Sequence, residues 1–190
     1  MRTRETNTDL LVEACLLGKR LAQRQLYEKH LPYALTVTRR FGVASRDQAD
    51  VMQEVFAEVF SKLHPYDADK GKFTTWFRTI TVRKTIDFLR QREKLKFTEL
   101  VAVIPEKTTA ESLDFLDQLP TDELFNALQS LPVGFRTVFN LYAVDGYRHQ
   151  EIGKMLGISA SASRSQYTRA RERLRKHLTS TTQKKMTHEY

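Results

Sequence analysis

Residues 145–178 read DGYRHQEIGKMLGISASASRSQYTRARERLRKHL, a stretch that admits few local structures. Ile152, Met155 and Leu156 recur at helical spacing, which predicts a short helix over about 149–156. Gly157 follows, a residue able to take the left-handed conformation that ends a helix. Ile158 is an apolar plug, and the hydroxyl of Ser159 can cap the next helix. That helix carries Ala160, Ser163, Tyr167, Ala170, Leu174 and Leu178 along one inner stripe. Ser165, Thr168, Arg169 and Arg173 fall opposite, flanked by Arg164 and Arg171. A short helix, a glycine turn and a basic second helix predict a helix-turn-helix, whose second helix suits the major groove of duplex DNA. A hairpin with a solvated basic face is the plainer alternative. Between Tyr147 and Leu178, however, eight Lys and Arg stand against Glu151 and Glu172, whereas solvated faces mix signs so that neighbours pair.

The rest of the chain points to the same class. Seven Gly and five Pro in 190 residues, with few β-branched alternations, predict an all-α protein. A formal net charge of +8 suits nucleic acid or an anionic surface as partner. The single cysteine, Cys15, excludes an internal disulfide and a multi-cysteine metal site, and reads as a small buried side chain. No apolar run is long enough to span a bilayer. The start, MRTRETNTDL, lacks the apolar core of a signal peptide, so a cytoplasmic, reducing compartment is expected.

Two helices are expected between about Asp9 and Phe41. The first has an apolar stripe of Leu10, Leu11, Ala14 and Leu17 and stops at Gly18; the second runs through Ala22, Leu26, Tyr27, Leu35, Val37 and Phe41 to Gly42. Pro32 marks a kink or a helix start. Asp47 to Leu63 carries a wide inner stripe of Val51, Val55, Phe56, Val59, Phe60 and Leu63. Asp47, Asp50, Gln53, Glu54 and Glu58 take the other side, and Asp50, Gln53 and Glu54 share one face. By itself that is an ordinary solvated acidic face.

From Lys70 to Lys96 the sign reverses: nine Lys and Arg accompany Asp87 and Glu93. A long helix is predicted from Thr74 or Thr75, with Phe73, Trp76, Phe77, Ile80, Ile86, Phe88 and Leu89 as its apolar positions. Aromatic rings interleaved with cations suit single-stranded nucleic acid, since rings stack on bases and cations meet phosphates. These rings can equally be core, and Trp76 can be both. Residues 97–123 are acidic, with Lys107 against seven carboxylates and with Pro105 and Pro120, and read as a linker with a short helical piece near 113–119. Helices then restart. Leu124, Leu128 and Leu131 line one, and Phe135, Val138, Phe139 and Tyr142 pack inward on the next, which Pro132 opens. The tail after Leu178 is polar and expected to be disordered.

A single-strand surface and a duplex reader joined by an acidic tether are familiar. From about Asp9 to Leu178 the chain resembles the extracytoplasmic-function group of bacterial sigma factors. DQADVMQEVFAEVF looks like the family's polymerase-binding helix, with Asp50, Gln53 and Glu54 at its D-x-x-Q-E spacing. FTTWFRTITVRKTIDFLR looks like the segment that melts and reads the −10 promoter element. LPVGFRTVFNLYAVDGYRHQEIGKMLGIS with SRSQYTRARERLRKHL looks like the −35 reader.

The resemblance implies two small helical domains joined by an acidic linker, the C-terminal one containing the helix-turn-helix. It divides the chain into 1–96 for core binding and the −10 element, a 97–120 linker, 121–178 for the −35 element, and a 179–190 tail. It implies core RNA polymerase contacts at Asp50, Gln53 and Glu54. Contacts to the −10 element fall at Phe73, Thr75, Trp76, Arg83, Lys84, Asp87 and Arg90, and those to the −35 element at Arg164, Ser165, Thr168 and Arg169. An anti-sigma factor is a further partner of such proteins. No cofactor, metal or catalysis is implied. Arg83 stands where the family often has Asn, at a position tied to choosing the flipped-out base, and Ser163 and Gln166 replace the commoner Val and Arg.

Two other classes compete. A stand-alone helix-turn-helix regulator leaves the acidic face and the aromatic–basic segment unexplained. An enzyme on nucleic acid lacks a P-loop or a clustered ligand set, since His30, His64, His149, His177 and His188 are scattered.

Overall fold

Helix α1 (Thr6–Leu16) turns into α2 (Arg20–Phe41) at Gly18, whose φ of 74° is open to a residue without a side chain. The Gly18 and Lys19 amides close that end by donating to the carbonyls of Cys15 and Ala14. This is a computed structural model, and it describes residues 6–64, 66, 71–93 and 121–187. The expected linker over 97–120, with its helical piece near 113–119, lies outside the described residues.

The stripe on α1 differs from the one expected. Thr8, Val12 and Cys15 are buried, while Leu10 and Leu17 are 63% and 75% exposed. Apolar residues nearly encircle this helix, so periodicity alone does not choose its inner face. A tertiary bond, Lys29 Nζ donating to Thr8 Oγ1 at 2.5 Å, accompanies the face that is chosen. Pro32 stands inside the continuous α2, on its exposed side. Gly42, at φ 93°, ends α2 as expected.

Next come α3 (Gln48–Ser61) and α4 (Phe73–Glu93), which pack on α2 and on each other. Leu26, Phe41, Val55, Phe56, Phe77 and Ile86 lie in the core between them. Asp47, expected on the exposed acidic side, is 6% exposed. It sits in the turn of 3-10 helix entering α3, and Arg92 of α4 reaches it at 2.7 Å. Folding the end of α4 over the start of α3 buries this carboxylate, and α4 begins at Phe73, slightly earlier than predicted.

The chain forms two units, Met1–Lys94 and Leu95–Tyr190. The second contains α5 (Thr121–Gln129), α6 (Val133–Phe139), α7 (His149–Leu156) and α8 (Ala160–Thr187). Leu128, Leu131, Phe135, Phe139, Ala170 and Leu174 form its core. Arg136 is buried and ties the end of α5 to α6, donating to Gln129 Oε1 at 2.6 Å and to the Leu131 carbonyl at 2.9 Å.

Two details depart from expectation here. Tyr142, whose spacing predicts an inward side chain, is 40% exposed. After Phe139 the helix widens to a π turn over Asn140–Val144, which shifts the register and carries Tyr142 outward. The polar tail predicts disorder from 179, yet α8 continues to Thr187, in keeping with the low cost of extending an established helix.

Candidate nucleic-acid interface

In the second unit the local chemistry forms the predicted turn. Gly157 adopts φ 70° and closes α7. Ser159 Oγ accepts from the Ala162 amide at 3.0 Å and so caps α8. At the other end of α7, Glu151 accepts from the Arg148 amide at 2.7 Å. The inner side of α8 buries Ala162, Ser163, Gln166, Ala170 and Leu174, with Tyr167 and Leu178 half-buried. Arg164 is exposed, and Ser165, Thr168 and Arg169 are half-buried on the flank away from Ala170 and Leu174.

Sequence reasoning missed two supports of this helix. A Cβ on Gly153 would stand 2.7 Å from the Ile158 carbonyl oxygen, so the turn packs directly on the α7 backbone. The available signal was a glycine inside a short helix, which costs about 1 kcal/mol and needs a packing reason. The second support is His149. Its ring stacks on Tyr142 at 4.2 Å and 9°, and its Nδ1 lies 2.9 Å from the buried Ser163 Oγ. Ser163 is thus a polar partner inside the packing stripe. Burial, and secondarily the Arg164 charge, hold His149 below its ordinary pKa.

In the first unit, α4 divides its predicted contact residues. Phe73 is 1% exposed and packs on Phe77 and His30, so its ring is core in this structure and not open to a base. Trp76 is half-buried, seated between Tyr66 and Phe73 with ring centroids 5.4 Å from each. Tyr66 in turn donates its hydroxyl to the Gly71 carbonyl at 3.1 Å. Thr75, Arg83 and Asp87 are exposed, and Arg90 reaches Asp87 at 4.0 Å. Beside Thr75 opens a pocket of about 270 Å³, lined by His30, Tyr33, Thr74, Thr75, Phe77 and Arg78. His30 is 6% exposed, and burial, then the Lys29 charge, push its pKa from 6.5 to about 4.

On α3, Asp50, Gln53 and Glu54 are exposed together. Glu58, one turn further, accepts from Lys62 at 2.6 Å and pairs with Lys84 of α4 at 3.1 Å. The Lys62 bond, followed by that to Lys84, outweighs burial and keeps the Glu58 carboxyl below its usual pKa. Among the described residues no cluster of three or more His, Cys, Asp or Glu could hold a metal, and no helix is long and apolar enough to cross a membrane.

The first unit matches the profile of Sigma-70 region 2 over residues 26–95, and the second matches that of Sigma-70, region 4 over residues 121–174. The ECF RNA polymerase sigma factor SigW of Bacillus subtilis is 32% identical over 139 residues, covering 68% of this chain and 74% of that protein. The chain belongs to the extracytoplasmic-function sigma factors. It is therefore a sigma factor for RNA polymerase promoter specificity.

SigE of Mycolicibacterium smegmatis, another such factor, is 30% identical over 158 residues; the chain aligns over 81% of its own length and spans 60% of that longer relative. In fold the sigma factor is similar to CnrH, solved in complex with the cytosolic domain of CnrY. The TM-score is 0.50 and the identity 24%, over 90% of this chain and 96% of that one.

Proposed function

We propose that this sigma factor docks on core RNA polymerase through Asp50, Gln53 and Glu54, opens the −10 element with the exposed side of α4, and reads the −35 element with α8. The observation that carries this reading is the exposed carboxylate pair Asp50 and Glu54 on an otherwise basic chain, one helix away from a half-exposed Trp76. A partner surface of opposite charge would recognise the first feature, and an unstacked base would recognise the second.

On α4, Thr75, Trp76, Arg83, Lys84, Asp87 and Arg90 serve the melted strand, with Phe73 supporting Trp76 from below. The pocket beside Thr75 offers an aromatic and hydroxyl-lined recess for a base. On α8, Arg164, Ser165, Thr168 and Arg169 serve the duplex. Residues 1–96 and 121–178 act as the two binding domains, 97–120 as an acidic tether and 179–190 as a tail. The protein works in the cytoplasm as a non-catalytic subunit. Structural relatives were solved with anti-sigma partners, RpoE of Bartonella quintana with NepR among them, and a comparable partner is proposed here.

The decisive experiment reconstitutes core polymerase with this protein and selects promoters from random DNA. Sequence-specific transcripts that require the protein are expected. Reversing Asp50 and Glu54 to Lys should cost several kcal/mol of core affinity with helicity unchanged, because neither residue is in the core. Wild-type core binding by that variant would defeat the assignment of this face. Specific duplex binding without polymerase would favour a stand-alone regulator.

A further inference from the structure

Lys84 belongs to the strand-reading helix but points its charge at the acidic helix beside it. Its Nζ lies 3.1 Å from Glu58 Oε2 and 3.8 Å from Glu54 Oε2. Glu58 is 23% exposed and shared with Lys62, whereas Glu54 is 49% exposed and stands on the open face with Asp50 and Gln53. One carboxylate, Glu54, therefore serves both the candidate polymerase face and a cation of the candidate strand surface.

We infer that Lys84 couples the two binding events: in the free protein Glu58 and Glu54 hold its charge, and a cationic partner taking Glu54 releases it toward a phosphate of the melted strand. This rests on the polymerase and strand surfaces proposed above. The geometry favours competition at Glu54 because that contact is the longer one and its carboxylate the more exposed. Glu58 divides its own charge between Lys62 and Lys84, so it compensates Lys84 incompletely once Glu54 is engaged. Lys84 carries its charge on a flexible stem, next in sequence to the exposed Arg83, and can swing to an oxygen that lies off the α3 flank. The hydrogen bond to Glu58 leads the causes that raise the Lys84 pKa in the free protein, and a released lysine remains a cation at neutral pH because its ordinary pKa is about 10. By linkage, a bound strand must strengthen polymerase binding by the same factor through this pair.

The test is a double-mutant cycle on the full chain at low salt. Its probe is a fluorescent single-stranded oligonucleotide carrying a −10 sequence selected with the reconstituted polymerase. Glu58→Gln, outside the proposed polymerase face, should raise strand affinity about three- to fivefold, the size of a partly exposed ion pair. In a Lys84→Met background the same change should give a much smaller gain, since bulk charge alone then acts. Adding core should help strand binding by the wild type more than by Lys84→Met. Equal gains from Glu58→Gln in both backgrounds would overturn the coupling, as would no gain in either. If the wild-type chain, free and with core, showed no preference for the selected strand over a scrambled one, the strand surface itself would fall, and the coupling with it.

Discussion

The two units build their proposed nucleic-acid helices in opposite ways. In the first, α4 is also the spine of the core. Phe73, Phe77, Ile80, Val82, Ile86 and Leu89 are buried almost all round it, and the surface is left to the residues between them. In the second, α8 buries one stripe and turns the other side outward. The cations are held differently too. Lys84 and Arg92 of α4 lie against carboxylates of α3 and the turn before it, with Arg92 also over the Phe88 ring, while Arg171 and Arg173 of α8 lie over the rings of Tyr167 and Phe135. A helix that is both core and reader ties recognition to the stability and charge of its neighbours. A helix with separate sides can change what it reads at little cost to the fold.

The sharpest way to break this contrast is at Phe73. Truncating a fully buried aromatic costs about 3–5 kcal/mol, so Phe73→Ala should lower the denaturant midpoint of the first unit severely. Trp76→Ala should cost about 1–2 kcal/mol of stability yet abolish strand binding while the fold persists. Circular dichroism beside strand titration separates the two, and equal stability losses would end the distinction between core and reader on α4.

His30 sharpens the comparison through pH. Its folded pKa of about 4 lies below the unfolded value near 6.5, so the unfolded chain binds the proton more readily. The stability tied to neutral His30 is complete above pH 6.5 and falls as pH drops from 6.5 toward 4, by up to about 3 kcal/mol. Unfolding measured across this window should show that slope in the wild type and lose it in His30→Gln. Persistence of the slope in the variant would assign it to other groups. His149 in the second unit shifts in the same direction and adds to the acid sensitivity with the same sign.

The smallest effects belong to α8. Arg164→Ala and Arg169→Ala should each weaken upstream-element binding by about 1–3 kcal/mol. An arginine that bonds to a base edge should, when removed, relax specificity at one position. An arginine that holds a phosphate should, when removed, weaken binding to all sequences alike and flatten the salt dependence. For the exposed Arg164, stability to thermal unfolding should change by about 0.5 kcal/mol or less. A large loss of stability would mean that α8 too is core and reader at once.

The sequence alone determined the all-α class, the Gly157 turn with its Ser159 cap, the stop at Gly42, and the exposed grouping of Asp50, Gln53 and Glu54. Each follows from local rules: a left-handed glycine, a capping hydroxyl, or residues that share a helical face. Tertiary structure decided the rest. Leu10 on α1 and Leu17 just after it face outward because apolar residues spread nearly all round this helix and leave no clear periodicity to choose its inner side, and contact with α2 makes the choice. Tyr142 stands outside the core because a π turn changes the register. Asp47 is buried because the end of α4 closes over it, and Phe73 is buried because α2 and α4 share an aromatic cluster. Lys84 turns from the proposed strand surface toward Glu58 because α3 lies beside it. Side-chain period tells which residues share a face, but which face meets a neighbour, and which charge finds its partner there, depends on contacts between residues far apart in the chain.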